Sequence, residues 1–405
     1  MNKKLTIGVC GPIDLRLLDW ELKEQNLPET NTFPLPTHFI NALLHRGFNV
    51  IAYTNSPFIE EAMVFEGKHL KVCIAPQRPQ PGRRFFQFEV KELQRLIEQH
   101  PSDFISAFWS YEYSWAALRT GIPTAVGLHD VALQILFQHK DIFRLVRWAI
   151  NYIVVTKAKH LIANSSYTYN MLDNSTKKKT RIINNFYPAE LEDQLKVPVQ
   201  KSNHIVSVGM GFTHRKNIST ALHAFALVRK KHPELEYHLL GAGMEPEGAA
   251  QQYAREQGLE DGVKFMGVQS YDEVLHEISH ARLLLHPARE ESFGMVLLEA
   301  MIARTPVIGG KDSGYVPILL DGGNAGLLCD INLPQKISEA ILKLIEDNML
   351  CKQLAQQAYT FARNNYSEEV IVDQHLAYYS EILEKPLSPL QDKEHVADSR
   401  SIMRA

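Results

Sequence analysis

Short apolar runs alternate with helix-like stretches along most of the chain. Leu5–Val9, Asn49–Thr54, Leu70–Ile74, Phe104–Phe108 and Thr124–Leu128 form a first set. His204–Val208, Glu236–Leu240, Val263–Met266, Ala281–His286 and Thr305–Ile308 form a second. Such a rhythm predicts parallel βα units. The intervening Thr37–Arg46 stretch has helical spacing, Thr37 as N-cap and Gly47 as its stop. Between the two sets lies the polar segment Pro188–Asn203, read as an interdomain linker. The expectation is an α/β protein with two Rossmann-like αβα domains, at residues 1–195 and 196–367, facing each other across a cleft. A helix over 368–385 packs back on the first domain and a loose tail follows at 386–405. Ligands are expected at the carboxyl ends of the strands.

The 405 residues suit two or three domains at roughly 100–200 residues each. With 43 Lys and Arg against 46 Asp and Glu, the net charge of −3 offers no general field for nucleic acid, so any anion must meet a local patch. Cys10, Cys73, Cys329 and Cys351 are widely spaced, which argues against a zinc site or disulfide framework and for a cytoplasmic protein. The opening residues read as a buried first strand and not as a signal peptide. The longest apolar run, Trp148–Thr156, is too short to span a bilayer.

The most informative stretch is His286–Arg304. A strand ends at His286, a loop carries Glu290 to Gly294, and an apolar helix starts near Met295. Gly294 lets the backbone approach a ligand, and the amides of Gly294, Met295 and Val296 offer an anion seat at the positive end of the helix dipole. Glu291 and Glu299 would place two acceptors beside that seat, able to hold sugar or ribose hydroxyls. Taken alone, a solvated loop acid and an ordinary helix residue would account for both.

The string E-S-F-G-x-x-x-x-E from Glu291 to Glu299, followed by Ala300, Met301, Thr305, Pro306 and Val307, resembles the signature of retaining glycosyltransferases of family 4, which have the GT-B fold. Ile205–Asn217 is similar to the family's strand, Gly-rich turn and basic pair on the donor pyrophosphate, which makes either Arg215 or Lys216 the phosphate ligand. Met210 stands where many members have Arg, and Ile318 where a Glu is usual. Leu240–Gly243, Val263–Gly267 and Gly309–Gly314 match further segments in order, with Gly267 and Val268 by the nucleotide base. The resemblance is strong over Ile205–Leu328 and looser before it, where the family reads a variable acceptor. There, His129 after the Thr124–Leu128 run resembles the strand-end His that faces the donor sugar. It implies that Glu291 and His129 are catalytic and that Glu299 binds the ribose.

Those likenesses imply a UDP or GDP sugar as donor, a hydroxyl acceptor on a glycan or glycolipid, and a role in polysaccharide or glycolipid synthesis. No two Asp residues stand two positions apart, so the metal-binding DxD motif is missing and neither metal nor cofactor is expected. Gln77–Phe88 and Lys140–Lys159 combine basic and aromatic or apolar residues and point to no more than peripheral contact with the inner face of a membrane. A solvated loop and a core helix explain them equally well. A nucleotide-sugar epimerase and a non-catalytic GT-B scaffold remain the competing readings.

Overall fold

The computed structural model describes residues 5–19, 27–31, 33–195 and 199–387. Two compact units divide the chain, one running to Asn184 and resuming at Ile371, the other covering Asn185–Val370.

In the first unit, strands β1 (Thr6–Cys10), β2 (Asn49–Ser56), β3 (Met63–Glu66), β4 (Leu70–Pro76), β5 (Phe104–Ala107), β6 (Thr124–Leu128), β7 (His160–Ala163) and β8 (Thr180–Ile182) lie in the order β3-β4-β2-β1-β5-β6-β7-β8. Only β3 is antiparallel, pairing β4 at the sheet edge. The second unit holds β9 (His204–Val208), β10 (Glu236–Leu240), β11 (Val263–Gly267), β12 (Leu283–His286), β13 (Val307–Gly310) and β14 (Leu327–Cys329), all parallel, in the order β11-β10-β9-β12-β13-β14. Counted within the unit this is 3-2-1-4-5-6, the doubly wound order. Strands buried on both faces need apolar side chains throughout, which is why the runs could be read from sequence. The edge strands β3 and β14, four and three residues long, are too short to carry such a signal.

Three boundaries differ from expectation. The first long helix is Pro34–His45, with a proline in its first turn, where a missing N–H costs nothing. Thr37 therefore does not cap it; its hydroxyl instead accepts from the Asp14 amide at 2.9 Å. The supposed linker contains the helix Ala189–Gln194, and its Leu191 is buried. Glu192 there accepts from the hydroxyls of Tyr187 at 3.1 Å and Tyr359 at 2.6 Å. This packing attaches the segment to the second unit, so the division falls at Asn184/Asn185 and not at 195/196. The expected tail lies outside the described residues from 388 onward. No helix among the described residues is long and apolar enough to cross a membrane.

The helix Glu368–Leu383 brings the buried Tyr379 into the first unit, where its ring lies 4.4 Å from that of Phe104 and its hydroxyl meets Ser106 Oγ at 2.6 Å and His375 Nδ1 at 3.0 Å. Tyr379→Ala should destabilise the first unit by about 3–5 kcal/mol in denaturant unfolding, as for other buried aromatics. Tyr379→Phe should cost about 1–3 kcal/mol, because Ser106 is left without its partner. A chain indifferent to both would contradict this anchoring role.

Candidate active site

In the second sheet the winding direction reverses between β9 and β12, the switch point where sheets of this order open a crevice at the carboxyl ends of their strands. Arg215 and Lys216 follow β9; His286 ends β12, and Glu291 follows it. The β9 loop is held by backbone contact: a Cβ on Gly241, at φ +120°, would lie 1.8 Å from the Gly209 carbonyl oxygen. Only glycine fits there. Asn217 joins the two loops, its buried amide donating to the carbonyls of Pro287 at 3.0 Å and Ile331 at 2.7 Å.

Lys216 Nζ donates to Glu291 Oε2 at 3.1 Å, with both side chains mostly buried. Burial opposes ionisation of Glu291, but contact with His286 and the charge of Lys216 outweigh it and hold the carboxyl well below its usual range. His286 is itself depressed, by burial first, against the pull of Glu291. Its buried Nε2 lies 3.4 Å from Glu291 Oε2 and makes no well-formed hydrogen bond. Among the described residues the Arg215 guanidinium has no ion-pair partner, while its backbone carbonyl accepts from the Arg289 amide at 2.8 Å. Lys216 thus organises Glu291, and Arg215 keeps an uncommitted charge.

Gly294 begins the helix Met295–Ile302 at φ +100°. A side chain would meet Leu297 Cδ1 at 2.9 Å and approach Glu291 Cγ at 3.4 Å. The first amides of this helix have no intrahelical acceptor and can receive an anion. Glu299, one turn inside, is buried and accepts from the Tyr271 hydroxyl at 3.2 Å. Burial raises its pKa to about 7, with Tyr271 opposing. The two carboxyls expected as like acceptors therefore differ: Glu291 is ionised, whereas Glu299 titrates near neutrality.

Gly267 ends β11, donating to the Met244 carbonyl at 2.9 Å and accepting from the Gly241 amide, and Val268 beside it is 64% exposed. These residues rim the same end of the sheet. His129 belongs to the first unit, immediately after β6, with its ring stacked 5.5 Å from Phe108 and tilted against Trp109 at 4.7 Å. Gly127 leaves the room for this: a Cβ there would stand 2.7 Å from His129 Nε2.

Two family models match in succession, one described as Glycosyltransferase Family 4 over residues 37–191 and one as Glycosyl transferases group 1 over residues 190–361. The chain belongs to glycosyltransferase family 4. A curated member, the N-acetyl-alpha-D-glucosaminyl L-malate synthase of Bacillus anthracis, is 26% identical over 275 residues, covering 65% of this chain and 68% of that one. Other curated relatives align over as little as 31% and 39% of their own lengths. Among solved structures, sucrose-phosphate synthase of Thermosynechococcus elongatus matches with a TM-score of 0.71 at 19% identity, covering 94% of this chain and all of that one. Anabaena HepE in complex with UDP matches at 0.65 and 18%, with the same coverage. The fold is GT-B.

His286, Asn217 and Tyr271 were not singled out from sequence. His286 closes an apolar strand and Tyr271 opens a surface helix, so neither position carries a local signal of its partner. Asn217 follows the basic pair directly, and its left-handed backbone, φ +57°, is a conformation Asn adopts more readily than most residues.

Glu299 yields a pH prediction. Its folded pKa lies above that of the unfolded chain, so the native state holds a proton the unfolded state loses, and stability falls as pH rises from about 4.5 through about 7. Glu299→Gln should remove this loss and gain on the order of 3 kcal/mol over wild type between pH 4.5 and 8 in urea unfolding. Parallel stability curves would contradict it.

Proposed function

We propose that the protein is a retaining glycosyltransferase that moves a hexose-type sugar from a nucleoside diphosphate to a hydroxyl acceptor on a glycan or glycolipid. The observation that carries this is the buried Lys216–Glu291 pair beside the open start of the Met295–Ile302 helix, with Arg215 uncommitted. The diphosphate is assigned to Arg215, Lys216 and the amides of Gly294, Met295 and Val296; the sugar hydroxyls to Glu291; the ribose to Glu299; and the base to the rim at Gly267 and Val268. In the first unit His129 is kept as the sugar-contacting residue.

As the bond from the anomeric carbon to the phosphate oxygen breaks, negative charge grows on the diphosphate. In this reading the two cations and the helix amides stabilise it. In the proposed sequence the acceptor oxygen forms its bond on the face the phosphate leaves, and the acceptor proton passes to a leaving phosphate oxygen. These groups take the part a divalent ion would otherwise play, so the reaction is proposed to need no metal or cofactor. UDP and GDP sugars are the proposed donors, UDP first, since HepE was solved with UDP and with UDP-glucose.

A lipid-linked acceptor, used by a cytoplasmic enzyme resting on the inner membrane face, is supported by exposed Phe137 on the helix Ala132–His139 and by exposed Ile142 and Leu145 on the helix Ile142–Lys157, near Lys140 and Arg144. In the other basic segment, Phe85 is exposed, Phe88 is half-buried and only Phe86 is core.

The test is product formation from a panel of UDP and GDP sugars with hexose, lipid and glycan acceptors in the presence of EDTA, with the anomeric configuration read by NMR. Retained configuration is expected, with Lys216→Met slower by roughly 10²–10³-fold. Inversion, a requirement for added metal, or full activity in Lys216→Met would overturn the reading.

A further inference from the structure

The second unit carries another cluster, at the opposite, amino-terminal ends of its strands. His204 opens β9, His238 sits in β10, and Glu277 reaches them from the helix Tyr271–His280. We propose that His204, His238 and Glu277 form a binding site for a transition-metal ion of the zinc class.

Each of the three offers a nitrogen or carboxylate oxygen, and these atoms lie within 4.8 Å of one another. His238 Nδ1 is 2.6 Å from Glu277 Oε2, and His204 Nε2 is 3.4 Å from the same oxygen. Imidazole and carboxylate are the ligand types zinc accepts. Both histidines are mostly buried. A second layer is present as well. His238 turns its other nitrogen, Nε2, to Glu236 Oε2 at 3.2 Å, and Lys264 Nζ holds that same oxygen at 2.7 Å. A carboxylate on the far nitrogen is the arrangement that orients metal-bound histidines.

The two rings are stacked, with centroids 4.1 Å apart and planes 8° from parallel, so both cannot direct a lone pair at one ion without a turn of one ring. Room for that turn exists in an adjoining cavity of about 300 Å³ lined by all three ligands. His276 and His280 line it too, one helical turn apart on either side of Glu277 in sequence. This H-E-x-x-H spacing is that of zinc hydrolases. Here the acid faces the sheet as a ligand while His276 is exposed, so the geometry favours a structural ion over a hydrolytic one. Such an ion would tie the end of the helix to β9 and β10, and the same helix begins with Tyr271, the partner of Glu299.

The test uses the full chain, stripped with EDTA and dialysed, then titrated with Zn(II) by calorimetry and with Co(II) by visible absorption. Expected are one bound ion per chain, a rise in unfolding temperature, and loss of binding in His204→Asn, His238→Asn and Glu277→Gln. Glu236→Gln should weaken it roughly 10–100-fold. The paired change His276→Asn with His280→Asn should leave stoichiometry and affinity unchanged. Wild-type protein that binds neither ion would overturn the proposal whatever the fold of the variants. So would binding that survives loss of His204 and His238 but vanishes with His276 and His280.

Discussion

A carboxylate held away from water must be paired, and Glu291 is paired with Lys216 across the two loops that flank the reversal of the second sheet. Desolvation alone would protonate it; the ammonium and the His286 contact reverse that outcome. The arrangement depends on the backbone, since Gly241 must admit the Gly209 carbonyl and Asn217 must bind the β9 loop to the loop beyond β12. Loss of the lysine would leave a buried charge uncompensated, which is far costlier than loss of a surface ion pair.

Glu299 shows the same chemistry with the opposite outcome. It lies on the helix that starts at Gly294, yet its hydrogen-bond partner is a neutral phenol, and burial sets its ionisation near neutrality. Within one short motif a loop carboxylate is kept charged beside cations and a helix carboxylate is kept close to neutral. In the proposed mechanism this separates the roles, with fixed charge near the transferred sugar and an adjustable acceptor for the ribose.

Much of this was legible beforehand because the runs that form β1, β2, β4 to β6 and β9 to β13 are rich in apolar residues, and because Glu291 to Glu299 is an unusually specific string. The rest was not, for physical reasons. A proline-started helix shifts its boundary four residues from the one a threonine cap implies. The helix Ala189–Gln194 is polar along most of its length and is held by Leu191 and by Tyr359, distant in sequence, so it looked like a linker. Tyr271 and His286 acquire meaning only from partners 28 and five residues away, a pairing that hydrophobic periodicity does not encode. The opposite ionisation of Glu291 and Glu299 likewise depends on burial and on which side chains the fold brings alongside.

In the proposed function, the crevice between β9 and β12 holds a nucleoside diphosphate through this charged cluster. The most direct measurement is a crystal structure of the protein with UDP or its sugar. The account predicts phosphate oxygens on the amides at Gly294 to Val296 and on Arg215 or Lys216, with ribose hydroxyls at Glu299. A nucleotide bound with its phosphates away from that helix start, or with Glu299 still hydrogen-bonded only to Tyr271, would contradict it.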